Sequence, residues 1–371
     1  MKKHIVIAKL FDSGGSNEHL KTLIKYLGKD NVILILEDSQ QLTYFNKIDT
    51  GNLYKVKVKQ NLLSYAHLNY RFTTNVKELF FVLKSLLYIL LLSLRFGAAP
   101  VTVSVVEPEK FLYLLWLPFI KVNYILHTQP HSAMSTFTPF TCNSVLSKTK
   151  KIITVSQSMQ EIIVRNWAIK PAKSRYVIVI HNSIAEDKYD ATDPPTGFGK
   201  KQLVTTAGHV ADRKNPHIWL RVAKIITATR GDVEFLWLGN GPLLEKFTEN
   251  TINEPSITFY GVTDNCQSFL RKTSIYYQPS TVEPHGIAVL EAMYNGIPCV
   301  VSNVGGLTES VKKDYNGLWV DPNDADEHVR AISKLLDNKK ERELYGQNSL
   351  KRYNDLFTYD AFKRKMDEAY A

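Results

Sequence analysis

Two glutamates, Glu283 and Glu291, stand eight residues apart around the run Pro284-His285-Gly286-Ile287-Ala288-Val289-Leu290. The spacing reads as a strand end, a turn and the first turns of a helix. Gly286 permits close approach of a ligand to the backbone. The unbonded N–H groups of a first helical turn attract phosphate or sugar oxygens. Glu291 falls one turn inside the helix, among Ala, Val, Leu and Met, where a carboxylate is costly unless paired or hydrogen-bonded. A ribose diol would supply two donors. Glu283, just ahead of the helix, can bind the hydroxyls of a sugar. The competing interpretation is a solvated helix glutamate beside an incidental loop glutamate.

A second constellation is Gly14-Gly15, directly after the first apolar run and followed by Ser16-Asn17-Glu18-His19. A glycine pair at a strand-to-helix turn exposes backbone amides to an anion, although a plain turn explains it equally well. The third is Ala207-Gly208-His209-Val210-Ala211-Asp212-Arg213-Lys214-Asn215. Its cations could neutralise a diphosphate leaving group, stabilising charge where it develops. Arg grips phosphate with two prongs and Lys acts as a point charge. An exposed basic loop is the alternative.

Other chemistries find no support. Gly239-Asn240-Gly241 follows a strand, but Pro242 intervenes and the third glycine of a dinucleotide fingerprint is replaced by Leu244. There is no Gly-x-Ser-x-Gly elbow for acyl hydrolysis and no P-loop. His127 and His131 are separated by Pro130 and lack a carboxylate-rich partner motif, so no metal site is expected.

The elements that position these residues alternate along the chain. Strands are expected at 4–9, 31–36, 53–58, 101–105, 123–127, 152–155 and 177–180, nearly continuous in apolar character, as strands buried on both faces of a parallel sheet are. The stretch 185–201, with Asp193-Pro194-Pro195-Thr196-Gly197, reads as a linker. Alternation then restarts, with strands at 203–207, 233–238, 257–260, 275–278, 299–302 and 318–320. Helices are expected at 216–230, 243–250, 265–272, 287–295 and 326–336. Two doubly wound sheets in tandem would place ligands at the carboxyl ends of their strands, and a cleft between domains would be the natural site.

With 371 residues, of which 44% are apolar and 22% charged, the chain fits two globular domains. Three scattered cysteines argue against a disulfide framework and a structural zinc site, and fit a reducing compartment. The start, Met1-Lys2-Lys3-His4-Ile5-Val6-Ile7-Ala8, reads as a buried first strand rather than a signal peptide. Leu79 to Leu94 is the most apolar stretch. Interrupted by Lys84 and shorter than the ~20 residues of a bilayer span, it reads as a buried or surface-seeking helix. The net charge of +10 is scattered, without a nucleic-acid module; a solvated basic surface comes first and attraction to an anionic membrane next.

In order and spacing, these segments resemble the family 4 retaining glycosyltransferases of GT-B fold over nearly the whole chain. The resemblance is carried by Gly14-Gly15 with Glu18-His19, Ile180-His181-Asn182-Ser183-Ile184, Leu238-Gly239-Asn240-Gly241-Pro242, Tyr260-Gly261-Val262, the Glu283-to-Glu291 signature, and Gly296-Ile297-Pro298 with Gly305-Gly306. It implies an α/β GT-B architecture, two doubly wound Rossmann-like domains facing a central cleft. Residues 1–185 would form an acceptor-binding domain, joined by a C-terminal helix at 357–371, and 186–356 a donor-binding domain.

The resemblance further implies a hexose transferred with retention from a nucleoside-diphosphate sugar, UDP or GDP favoured, to a glycan or lipid-linked acceptor. Cell-surface polysaccharide or glycolipid synthesis would be the setting. Gly14, Gly15 and Lys214 would meet the diphosphate, with Gly239 in its Gly-x-Gly-Pro turn and Val262 beside the base. Glu291 would hold the ribose. Glu283 and the amides of His285, Gly286 and Ile287 would hold the sugar, and His127 would lie near the transferred sugar. Catalytic roles would fall to Glu283, His127 and Lys214. No cofactor or obligatory metal, and no nucleic-acid partner, is expected. The location would be cytoplasmic, with a peripheral position at the inner membrane face. His209 stands where the family usually has Arg, with Arg213 as the compensating candidate, and His285 stands where it often has Phe. A same-fold epimerase or hydrolase, and a degenerate nucleotide-sugar-binding protein, are the alternatives.

Overall fold

The computed structural model of the chain describes residues 3–9, 14–36, 54–55, 76–105, 107, 109, 111–130, 137–184, 201–263 and 265–371. The expected linker lies outside these residues apart from Lys201, as does most of the expected strand at 53–58. The chain divides into two compact units, Met1–His181 with Lys363–Ala371, and Asn182–Phe362.

The first unit is a parallel sheet. Among the described residues its strands are β1 (His4–Ala8), β2 (Val32–Leu36), β3 (Tyr54–Lys55), β4 (Val101–Val105), β5 (Val122–Leu126), β6 (Lys150–Thr154) and β7 (Val177–Val179), in the order β3-β2-β1-β4-β5-β6-β7. All of β2 and β5 is buried, and apart from Asn123 both read as apolar runs. The order reverses between β1 and β4, which pair in parallel. That reversal is where doubly wound sheets open a crevice at their carboxyl ends. The strand expected at 123–127 runs one residue earlier, so His127 stands just past the end of β5.

The second unit repeats the plan with β8 (Gln202–Ala207), β9 (Val233–Leu238), β10 (Ile257–Gly261), β11 (Thr273–Gln278), β12 (Cys299–Ser302) and β13 (Gly317–Val320). Their order is β10-β9-β8-β11-β12-β13, reversing between β8 and β11. Trp219, Phe235, Trp237 and Phe259 build an aromatic centre on one face, Trp219 meeting the other three rings at 5.0 to 5.7 Å.

The helix Lys339–Leu356 was not anticipated from the sequence. It buries only Tyr345, Gly346, Ser349 and Tyr353, a narrow stripe with no aliphatic residue, so periodicity gives it no signal. The last helix, Tyr359–Tyr370, begins in the second unit and ends in the first. There Tyr370 and Thr102 share a hydroxyl hydrogen bond of 2.5 Å, Tyr26 donates to Asp367 at 3.0 Å, and Lys121 donates to the Ala371 carbonyl at 2.7 Å.

Candidate functional site

The reversal in the second unit sets the carboxyl ends of β8 and β11 side by side. The segment leaving β8 carries Lys214, and the segment leaving β11 carries Glu283. Both side chains are buried and form an ion pair. Glu283 also accepts a hydrogen bond of 2.7 Å from Gln278 Nε2, while Gln278 Oε1 accepts one of 2.8 Å from the Tyr276 hydroxyl. The main chain ties the two segments together: Thr281 N–H donates to the Arg213 carbonyl at 2.9 Å. Burial lowers the Lys214 ammonium below the usual lysine range, and the Glu283 carboxylate opposes that shift. A buried charge pair held this way is costly to separate. It presents one cation and one carboxylate at a fixed point, ready for a phosphate and a hydroxyl.

Tyr276 and Gln278 were missed from the sequence. The available signal was a glutamine ending a buried strand, because a buried amide needs partners. The Tyr276 hydroxyl is held far above its usual range by burial, with the Glu291 carboxylate adding to the effect. Glu283 thus meets Gln278 directly, and Glu291 acts through its charge on Tyr276 of the same strand. Glu291 is half-buried, in the second turn of the helix Ile287–Tyr294.

That helix starts from Gly286 at φ 89°, backbone favourable only to glycine. The turn 283–286 is braced from outside by Gly306, whose N–H donates to the Glu283 carbonyl at 3.0 Å. A Cβ at Gly306 would lie 2.2 Å from the Pro284 carbonyl oxygen, so only glycine permits this approach. The His285 ring is buried and faces Phe357 at 5.7 Å. This leaves its main chain, rather than its imidazole, available to a ligand, and Ile287 likewise buries its side chain.

The other residues singled out in this unit border the same strand ends. His209 is half-buried after β8, and Arg213 is exposed on the short turn Asp212–Lys214. Gly239 follows β9, and its N–H donates to the Gly261 carbonyl at 2.8 Å; Val210 N–H donates to the Asn240 carbonyl at 2.8 Å. Val262 follows β10 and is exposed.

The first unit brings a second group to its own reversal. Gly14 caps the helix Gly15–Leu27 at φ 133°. His19, on that helix, meets His127 edge to face at 4.4 Å, and His127 Nε2 shares a hydrogen bond of 2.9 Å with Ser104 Oγ at the end of β4. Burial pushes the His127 imidazole well below its ordinary range, and His19 adds to that shift. His127 is therefore neutral at pH 7, able to donate or accept a hydrogen bond. Among the described residues no three His, Cys, Asp or Glu side chains converge as metal ligands.

Residues 190–352 match the family model described as glycosyl transferases group 1. A curated relative is the UDP-Gal:alpha-D-GlcNAc-diphosphoundecaprenol alpha-1,3-galactosyltransferase of Escherichia coli, 25% identical over 205 residues, 52% of this chain and 52% of that protein. An uncharacterized glycosyltransferase of Methanocaldococcus jannaschii is 26% identical over 235 residues, 59% of each chain. The chain thus spans about half the length of the curated relatives it matches. The solved structure of HepE from Anabaena in complex with UDP aligns with a TM-score of 0.78 over 99% of both chains at 15% identity. The fold of this chain is accordingly GT-B, two doubly wound sheets in tandem.

Proposed function

We propose that the chain is a retaining glycosyltransferase that moves a hexose from a nucleoside-diphosphate sugar to a hydroxyl of a glycan or lipid-linked acceptor. The observation that carries this reading is the buried Lys214–Glu283 pair at the reversal of the second sheet, beside a glycine-started helix bearing Glu291. The names of the relatives favour UDP as the nucleotide, since one is a UDP-Gal transferase and a structural neighbour is complexed with UDP. That transferase acts on a diphosphoundecaprenol-linked sugar, which supports a lipid-linked acceptor here.

In this reading the second unit holds the donor and the first unit the acceptor. Glu291 accepts from the ribose hydroxyls. Lys214, with Arg213 and the amides opening the helix Ile287–Tyr294, meets the diphosphate. Gly239 and Val262 border the nucleotide, and the family resemblance assigns the amides of the first unit's Gly14–Gly15 turn to phosphate. Glu283 and the main chain of His285, Gly286 and Ile287 orient the sugar, and the family resemblance assigns His127 of the first unit to the transferred sugar as well. The bond from the anomeric carbon to the diphosphate oxygen breaks as the acceptor oxygen attacks from the same face. The acceptor proton passes to the departing diphosphate, and the configuration is kept. Lys214 stabilises the charge that develops on the leaving group, so no obligatory metal is required.

The test is turnover of a UDP- and GDP-hexose panel with lipid-linked and oligosaccharide acceptors, with and without a chelator, product stereochemistry being read by NMR. The expected result is a retained linkage, insensitivity to chelation, and a large loss of turnover in Glu283→Ala. Donor consumed without an acceptor would replace the reading with hydrolysis or epimerisation.

A further inference from the structure

The helix Val76–Arg95 in the first unit exposes five of its leucines, while Leu86, Leu90 and Leu92 pack against the core. Toward the sheet it buries Ser85, Ile89 and Ser93, one residue per turn, two of them serines. Ser93 Oγ donates to the Ala99 carbonyl at 2.6 Å, which satisfies the buried hydroxyl. On the opposite side Leu79, Phe80, Leu83, Leu87, Leu91 and Leu94 are each at least half exposed. Their spacing places them on a single face along the helix. A soluble helix normally turns such a stripe inward, and an exposed apolar patch of this extent marks an interaction surface.

The surface continues onto the neighbouring elements. The helix packs against the turn Leu112–Trp116, which packs against the helix Phe137–Val145. Trp116 and Phe140 stack at 5.8 Å on the outside. Just beyond, Phe119 is 99% exposed at the tip of a turn, with φ 60°. The turn is built to hold it there. The buried Lys150 ammonium donates to the Leu117 carbonyl at 2.6 Å and to the Ile120 carbonyl, clamping the chain on both sides of the tip.

Charge identifies the occupant. The helix Val76–Arg95 and the segments 111–121 and 137–149 carry Lys77, Lys84, Arg95, Lys121 and Lys148 against a single acid, Glu78, and Lys84, Arg95, Lys121 and Lys148 are exposed. A symmetric contact with a second copy would set like charges against each other. An apolar stripe flanked by a clear excess of cations fits a bilayer surface, where apolar side chains enter the acyl boundary and Lys and Arg meet anionic headgroups. We propose that this face of the first unit is a docking surface for anionic membrane, the helix Val76–Arg95 lying along the interface and Phe119 inserting as a wedge.

The test uses the full chain without donor, so its failure is separable from failure of the transferase reading. Co-sedimentation with equimolar phosphatidylglycerol–phosphatidylcholine vesicles is compared with phosphatidylcholine alone, for wild type, Leu87→Glu/Leu91→Glu and Phe119→Ser. The substituted side chains are exposed, and an unchanged thermal midpoint checks that the variants fold. The wild type should partition onto the anionic vesicles more strongly, by about fivefold for each engaged cation. The leucine variant should lose about tenfold or more of that binding, and the Phe119 variant should bind measurably less. Failure of the wild type to bind, or equal binding by all three proteins, would overturn the proposal. So would a wild-type dimer in light scattering that the leucine variant converts to monomer, because the face would then be a self-association surface.

Discussion

Removing one member of the buried pair in the second unit should damage the protein in two separable ways. In Lys214→Met the Glu283 carboxylate keeps its hydrogen bond from Gln278 at 2.7 Å but loses its counter-charge. Both side chains are about 8% exposed, so water cannot restore the solvation. Breaking a buried pair from one side costs about 3–5 kcal/mol. Glu283→Gln strands the ammonium instead, and the same range applies. The double variant Lys214→Met/Glu283→Gln removes both charges while leaving the Gln278 amide an oxygen to donate to. It should recover to within about 1–2 kcal/mol of wild type, or exceed it, because uncharged replacements of buried pairs are often neutral or stabilising. Urea unfolding of the four proteins measures this cycle. Transfer activity should remain lost in the double variant, since neither the diphosphate nor the sugar hydroxyls find their charges. A Lys214→Met protein as stable as wild type would refute the buried-pair argument. A double variant that regains activity would refute the functional one.

Other consequences are as definite. Gly306→Ala has no backbone strain to pay for, since φ is −68°, but its methyl would lie 2.2 Å from the Pro284 carbonyl oxygen. A loss of about 1–3 kcal/mol is expected from overpacking, together with impaired turnover as the 283–286 turn shifts. Gly231→Ala, where nothing lies within 4 Å, is the control, and equal behaviour of the two would contradict the bracing role. His127 has a folded pKa below its unfolded value, so the unfolded chain binds more protons once pH drops below about 6.5. His127 should therefore make stability fall as pH decreases through that value toward the folded pKa, with a slope approaching about 1.4 kcal/mol per pH unit. Thermal melts from neutral to mildly acidic pH should show a shallower dependence in His127→Gln than in wild type, and identical curves would count against a desolvated neutral imidazole.

Much of the architecture was legible because its strands are buried on both faces. The run Val32–Leu36 has no polar interruption and Val122–Leu126 only Asn123, so their positions follow from composition to within a residue. Val233–Leu238, interrupted only by Glu234, and Cys299–Ser302 were anticipated to the residue. The paired glutamates were legible through spacing. Their surroundings were not, since the Tyr276–Gln278–Glu283 chain depends on side chains from a strand interior meeting a loop. Nor does sequence tell an imidazole that faces a ligand from one that packs on a distant ring. His285 packs on Phe357, 72 residues later. The helix Val76–Arg95 shows the limit of hydropathy most clearly. Its composition announces an apolar helix, but only the packed structure reveals that Ser85 and Ser93 are fully buried while five leucines stand exposed on the outer face. Among the described residues no helix is long and apolar enough to cross a membrane.

Nucleotide binding by wild type and Glu291→Ala tests the central claim most directly. Thermal or chemical unfolding would be followed with UDP, GDP, ADP and dTDP sugars, without added metal. At ~100 times its dissociation constant the true donor should stabilise the wild type by about 2.7 kcal/mol. One nucleotide, with UDP expected, should give this effect, and the Glu291→Ala protein should largely lose it. Stabilisation by none of the four, or an undiminished effect in the variant, would contradict the assignment of the second unit as a nucleotide-sugar site.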